Sequence, residues 1–117
     1  MPRMEDLLGA QTEWTVVATA TNAVSTATKA AVVGQRHYVT WLTVSASAAP
    51  AATVTATVKD GTTPITTFEI PASAIAPIFI PIARSLRGSV NSLVEISVPA
   101  LGTGVKGTVT IGGFTRT

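Results

Sequence analysis

The sequence predicts an all-β protein: an antiparallel β-sandwich of about eight strands, jelly-roll-like, with a short N-terminal arm. Three observations carry this. Short runs of alternating apolar and polar residues recur along most of the 117 residues, at the two-residue period of strands with one buried face. Nine glycines and seven prolines punctuate those runs, and no segment holds a helical period for more than two turns. Eight short strands in two sheets close a single core at this length, so the chain divides into an arm over residues 1–12 and one sandwich domain over residues 13–117.

The opening segment is the one stretch with a helical look, since Met4, Leu7 and Leu8 can share a face ahead of the breaker Gly9. One or two turns are marginal alone in water, which leaves two readings: a frayed terminus, or an arm that orders against a neighbouring subunit. Residues 13–20, EWTVVATA, alternate Trp14, Val16, Ala18 and Ala20 against Glu13, Thr15 and Thr19. A weaker strand follows at residues 28–33 and ends at Gly34. Residues 36–47, RHYVTWLTVSAS, form the longest and most aromatic run. Strict alternation puts Val39 and Trp41 on one side and Tyr38, Leu42 and Val44 on the other, so both sides are expected to be covered.

Pro50 breaks the chain before a hairpin at residues 54–71, whose turn chemistry is Asp60-Gly61. In the next strand, residues 75–83, Pro77 and Pro81 remove backbone donors and place it at a sheet edge or an irregular crossing. Residues 92–99 alternate again. Residues 104–115 close the chain with Val105, Val109 and Ile111 on one face and Gly112-Gly113 read as a bulge that redirects Phe114. Antiparallel pairing through hairpins is the default, and propensity leaves the strand order open.

Composition excludes several function classes. Cysteine is absent, which removes disulfides, thiolate catalysis and cysteine-bearing zinc sites and points to folding in a reducing cytoplasm. The net charge is +2 and the eight basic residues are scattered, so no stripe exists to follow a phosphate backbone and nucleic acid is set aside. No run nears the ~20 apolar residues of a membrane-crossing helix. The opening MPRMEDLLGAQTEW carries acids where a secretory signal has an apolar core, and the chain is expected to begin near Met1.

Catalytic ingredients are few. His37 is the single histidine and lies within a strand, where a rim or subunit-contact role is favoured over a place in a Ser-His-Asp arrangement. The carboxylates are Glu5, Asp6, Glu13, Asp60, Glu69 and Glu95. A glycosidase pair about 5–9.5 Å apart needs two of them across a cleft, and only Glu69 and Glu95 are candidates, should their strands pair. Asp60 reads as a turn former rather than a calcium ligand, and the glycine pairs match no phosphate cradle. No enzyme, metal, cofactor or small-molecule substrate is expected. Two binding readings remain. Trp14, Tyr38 and Trp41 could form a sugar-stacking platform, although Trp14 and Trp41 run in phase with aliphatic neighbours and read better as core. Arg84 and Arg87, in a loop between strands, are either solubilising charges or donors aimed at a partner's carboxylate.

The surface chemistry favours a partner. Charged residues are 12% of the chain, about half of the ~25% of an average protein. Strand faces that would normally carry Lys and Glu carry Thr instead, which packs well on a pleated surface and costs less to bury than a charge. Such faces suit contact with another copy of the chain, against the plainer reading of a monomer with a neutral surface.

The hairpin TVTATVKDGTTPITTFEIP, the Ile/Phe/Pro strand after it, and the run LRGSVNSLVEISV at residues 86–98 together resemble small β-sandwich decoration, or cement, proteins of tailed bacteriophages. The VKDG turn, the LRGS loop with an asparagine soon after, and the ending GGFTRT recur in that order in such proteins. The resemblance spans residues 36–117. It implies a structural virion protein, made in the host cytoplasm and added to the capsid surface, commonly as a homotrimer that clamps neighbouring copies of the major capsid protein. The residues expected at protein interfaces are Met4, Leu7, Leu8, Arg36, His37, Arg84 and Arg87. The alternative function is a carbohydrate- or receptor-binding sandwich of a phage fibre or tail.

Overall fold

The computed structural model describes residues 11–72 and 77–116, without the side chains of Ala83 and Arg84. Eight strands follow in chain order: β1 (Thr12–Thr21), β2 (Ser25–Lys29), β3 (Arg36–Ala46), β4 (Val54–Asp60), β5 (Thr63–Ile70), β6 (Ile78–Arg87), β7 (Val94–Val98) and β8 (Lys106–Arg116). They form two antiparallel sheets, one in the order β1-β8-β3-β6 and the other β2-β7-β4-β5. This is the eight-stranded jelly roll. Its connectivity corrects the expectation of successive hairpins, because β4-β5 is the one pair of consecutive strands that are neighbours in a sheet. Elsewhere the chain alternates between sheets, so each sheet is built from strands distant in sequence.

The alternation read from the sequence decides which residues meet. In β1, Trp14, Val16 and Ala18 turn inward. In β7, Val94, Ile96 and Val98 are fully buried, and in β8 so are Val109 and Ile111. These meet Val39, Leu42 and Val44 of β3 and Ala56 and Val58 of β4 in one core between the sheets. Removing each large aliphatic side chain from water contributes about 1.5–3 kcal/mol, which suffices without covalent staples.

One departure from alternation sets the geometry of the whole first sheet. Val39 and Leu42 are both buried, though three positions apart, because the register of β3 shifts between Val39 and Trp41 and Thr40 forms a bulge. The bulge thus lies in β3 and not at Gly112-Gly113, which face it from β8 in unbroken register with β1. Trp41 is turned to the outer face. There its indole lies where a side chain on Gly112 would otherwise stand, and a side chain on Gly113 would run into the Tyr38 carbonyl. Glycine is needed at both positions for close approach.

Other boundaries moved for identifiable reasons. The strand expected at 28–33 is β2, which starts three residues earlier, at Ser25, and is paired wholly with β7; Val33 is 91% exposed in the connection to β3. The hairpin turn is Gly61-Thr62, with Gly61 at φ 61°, while Asp60 still pairs with Thr63. The strand expected at 75–83 runs instead from Ile78 to Arg87, so Arg84 and Arg87 lie on β6 and not in a loop. The prolines were informative: β6 is an edge, and Pro81 pairs with Trp41 on its one bonded side.

The bulge makes a stability prediction. Gly113→Ala should cost about 3 kcal/mol, since the new methyl group meets backbone that cannot swing away. Urea unfolding measures this; a loss below the ~1 kcal/mol typical of any substitution would show that the strands can separate there freely.

Candidate functional site

On the outer face of the first sheet, four cross-strand rows lie between the Arg36–Arg116 pair at one end and the Thr21–Lys106 pair at the other. Glu13, Phe114, Tyr38 and Arg87 form the first, and Thr15, Gly112, Trp41 and Pro81 the second. Val17, Thr110, Thr43 and Phe79 make the third, and Thr19, Thr108 and Ser45 the fourth. Thr19 and Thr108 share a hydroxyl–hydroxyl hydrogen bond of 3.1 Å. Across the third and fourth rows no residue is charged, yet Val17 is 58% and Phe79 60% exposed.

Between the first two rows lies a cleft of about 440 Å³, lined by Glu13, Trp14 and Thr15 of β1, Thr40 and Trp41 of β3, and Gly113 and Phe114 of β8. Phe114 stacks on Tyr38 at 4.8 Å and 10°, and the Arg116 guanidinium sits 5.9 Å from the Tyr38 ring centre. Trp41 leans toward Phe79 at 6.2 Å. Aromatic walls, the hydroxyls of Thr15 and Thr40, and one carboxylate are the chemistry of a site that stacks a ring and hydrogen-bonds its substituents.

His37 is elsewhere, corrected from the rim to the interior at 1% exposure. It faces inward beside Val39, edge-on to the Trp14 indole at 5.7 Å. Nδ1 lies 2.6 Å from Thr115 Oγ1 and Nε2 2.7 Å from the Ala30 carbonyl. The carbonyl can only accept, so Nε2 carries the proton and Nδ1 accepts from the threonine hydroxyl. Burial lowers the imidazole below its ordinary pKa, the Ala30 carbonyl opposes this in part, and the Lys29 charge lowers it further. A neutral, doubly bonded ring braces the fold. It contacts no carboxylate through its hydrogen bonds and has no route to a substrate.

At the same end of the molecule the two motifs VKDG and LRGS meet. The Asp60 carboxylate accepts from Ser89 N–H at 3.0 Å and from Ser89 Oγ at 2.6 Å. Gly88 N–H donates to the His37 carbonyl, Gly61 N–H to that of Leu93, and Asn91 N–H to that of Gln35. Asn91, at φ 61°, also accepts from Gly34 N–H through its side chain. Burial raises the Asp60 carboxyl, but Ser89, the nearby Ser92 hydroxyl and the Arg36 charge outweigh it and hold the group below the ordinary aspartate range. Asp60 is therefore an anchor for the β6-β7 loop more than a turn former.

The expected interface residues divide. Arg36 and Arg87 come together at this end, Arg36 through Nη1 to the Gly88 carbonyl at 3.5 Å and Arg87 in register with Tyr38. Met4, Leu7 and Leu8 lie outside the described residues, as does the Arg84 side chain. Glu69 and Glu95 do not pair: β4 separates their strands, and each accepts from a threonine, Thr55 and Thr28. Among the described residues no three His, Asp or Glu side chains gather where a metal could sit. Sequence reading missed Glu13, Thr40 and Phe114 as a set. The signal available was Gly112-Gly113, two adjacent strand positions that must sit opposite something large.

No protein-family model matches the chain, and no curated protein matches it in sequence. Among solved structures it is similar to the CBM36-1 domain of a multidomain xylanase from the hindgut metagenome of Trinervitermes trinervoides. The identity is 14% and the TM-score 0.48, over 88% of this chain and 96% of that one. It is also similar to a carbohydrate-binding module CBM36 in complex with calcium and xylotriose, at 11% identity and a TM-score of 0.39, over 86% of this chain and 76% of that one. Likeness at this level is one of β-sandwich shape and transfers no ligand.

The His37 environment makes a pH prediction. A lowered folded-state pKa means its contribution to stability is present above the unfolded value of about 6.5 and is lost as pH falls through the folded value. Unfolding free energies at pH 7.5 and 5 should therefore fall for the wild type and fall less for His37→Gln; equal declines would remove the assignment.

Proposed function

We propose that the chain is a non-catalytic structural virion protein, a homo-oligomeric and in particular trimeric decoration protein that binds the capsid of a tailed bacteriophage. The observation that carries this reading is the pair of uncharged rows on the outer face of the first sheet, where Val17 and Phe79 stand exposed at the two ends of a row otherwise made of threonine. Such a face loses little on dehydration and gains from close packing, which suits it to contact with protein. The second sheet repeats the pattern, with Thr26, Ser97, Thr57 and Thr67 in one row across all four strands. Function then follows from linkage: a protein that engages the assembled shell and not its separated subunits stabilises the shell by mass action, and many equivalent contacts add avidity.

Light scattering and co-sedimentation test this. The purified chain should be an oligomer and pellet with phage heads stripped of decoration, and Val17→Lys with Phe79→Lys should reduce that binding at least tenfold. A monomer that stays in the supernatant sinks the reading.

The cleft favours a second reading, a carbohydrate- or receptor-binding sandwich of a fibre or tail. Glu13 is the one charged residue lining it, which suits a neutral sugar and opposes an anionic one. Titration with xylotriose and neutral hexose oligosaccharides should shift tryptophan fluorescence in the wild type and not in Trp41→Ala. A flat response across the panel retires this reading.

A further inference from the structure

On the outer face of the first sheet, positive charge gathers at the end where β3 starts. Arg36 of β3 and Arg116 of β8 stand directly opposite each other across the two strands. Arg87 of β6 pairs with Tyr38, two residues along β3 from Arg36, and so shares their face. Tyr38 lies among the three. The Arg116 guanidinium sits 5.9 Å from its ring centre, and the ring stacks on Phe114.

Like charges directly opposite one another on a sheet are unfavourable, and little within the chain relieves them. Among the described residues, the one hydrogen bond from these guanidinium groups is that of Arg36 Nη1 to the Gly88 carbonyl at 3.5 Å. Arg116 Nε is buried with no partner. Two carboxylates flank the group. Asp60 feels the Arg36 charge, but its Oδ2 is engaged by Ser89, and Glu13 stands diagonally across from Arg116, opposite Phe114. Among the described residues neither accepts a hydrogen bond from the three arginines.

We infer that Arg36, Arg87 and Arg116 form a carboxylate-binding site for acidic side chains of the protein on which the first sheet docks. This deepens the decoration reading and rests on it. An uncompensated cation with an orphaned donor calls for a counter-ion. The guanidinium fork meets a carboxylate through two parallel bonds, which a lysine ammonium cannot do. Tyr38 gives Arg116 a ring to lie on, so less side-chain freedom is lost when the anion arrives.

Position favours a protein as the occupant. Arg116 lies six residues along β8 from Thr110, whose row ends in Val17 and Phe79, so the two regions are roughly 20 Å apart. An interface of standard size, about 800 Å² on each partner, spans that distance, and a small anion does not. One partner surface therefore covers both, with its apolar part on Val17 and Phe79 and its acids on the arginines. Charges at the rim of such a contact act on the rate of encounter and on its salt dependence more than on the lifetime of the complex.

Two measurements test this. In isothermal titration calorimetry at low salt, hexaglutamate should bind the wild-type chain saturably, and inorganic phosphate at equal charge should not. Arg36→Gln/Arg116→Gln should weaken the peptide at least tenfold. Arg87→Gln, at an exposed position outside the core, should weaken it several-fold with the far-ultraviolet circular dichroism unchanged. With phage heads stripped of decoration, the double variant should associate at least tenfold more slowly than the wild type at low salt and lose most of the wild type's salt dependence. Peptide affinity unchanged in both arginine variants, or phosphate bound as tightly as hexaglutamate, overturns the inference. If the double variant binds heads at the wild-type rate, the inference falls and the decoration reading stands. A wild-type chain that binds neither hexaglutamate nor heads ends both.

Discussion

The outer architecture of this jelly roll depends on a single steric arrangement: Thr40 bulged out of β3 opposite two glycines in β8. Without the extra residue, Trp41 would follow Val39 inward and displace the packing of Leu42 against Ile111. With it, His37, Val39, Leu42 and Val44 all face the core, and Tyr38 and Trp41 are delivered outside. The glycines then allow Trp41 to lie on the sheet rather than stand above it. Core, cleft and aromatic cluster are consequences of one shift in register, which is why it is found in the central strand of the pair.

A second constraint governs the end of the molecule at which β3 starts. Jelly-roll connectivity sends the chain repeatedly from sheet to sheet, so the loops there come from distant segments and need fixing to one another. Asp60, Asn91 and the backbone groups of Gly34, Gln35, His37, Gly61, Gly88 and Ser89 provide this by hydrogen bonding. Charge-assisted bonds to a carboxylate are the stronger kind, and the lowered Asp60 pKa reflects them. His37 adds the interior brace beside Trp14, joining the β2-β3 connection to β8.

The threonine faces gain a structural meaning from the registers. Hydroxyls on neighbouring strands meet as Thr19–Thr108 and as Thr26–Ser97, and others meet acids as Thr28–Glu95 and Thr55–Glu69. Groups that satisfy one another across the strands need less from water, so the face can be covered at small cost. The uncharged rows and the aromatic cleft, with its single carboxylate, are thus chemically distinct regions of the same sheet.

Much was legible in the sequence because period-two alternation reports burial directly: the strands containing Trp14, Val58, Ile96 and Val109 were placed with their inward faces correct. Pro81 marked an edge, because a missing donor is tolerable only where one side is unpaired. The composition determined that no cysteine chemistry stands behind the fold. Tertiary structure alone decided the rest. A bulge flips every later side chain in a strand without changing residue type, so the outward turn of Trp41 was invisible until β8 lay beside it. The same holds for Asp60, whose turn chemistry is local but whose partner, Ser89, is 29 residues away. Pairing of distant segments is a property of topology, and in a fold whose consecutive strands mostly lie in different sheets, local pattern carries no record of it.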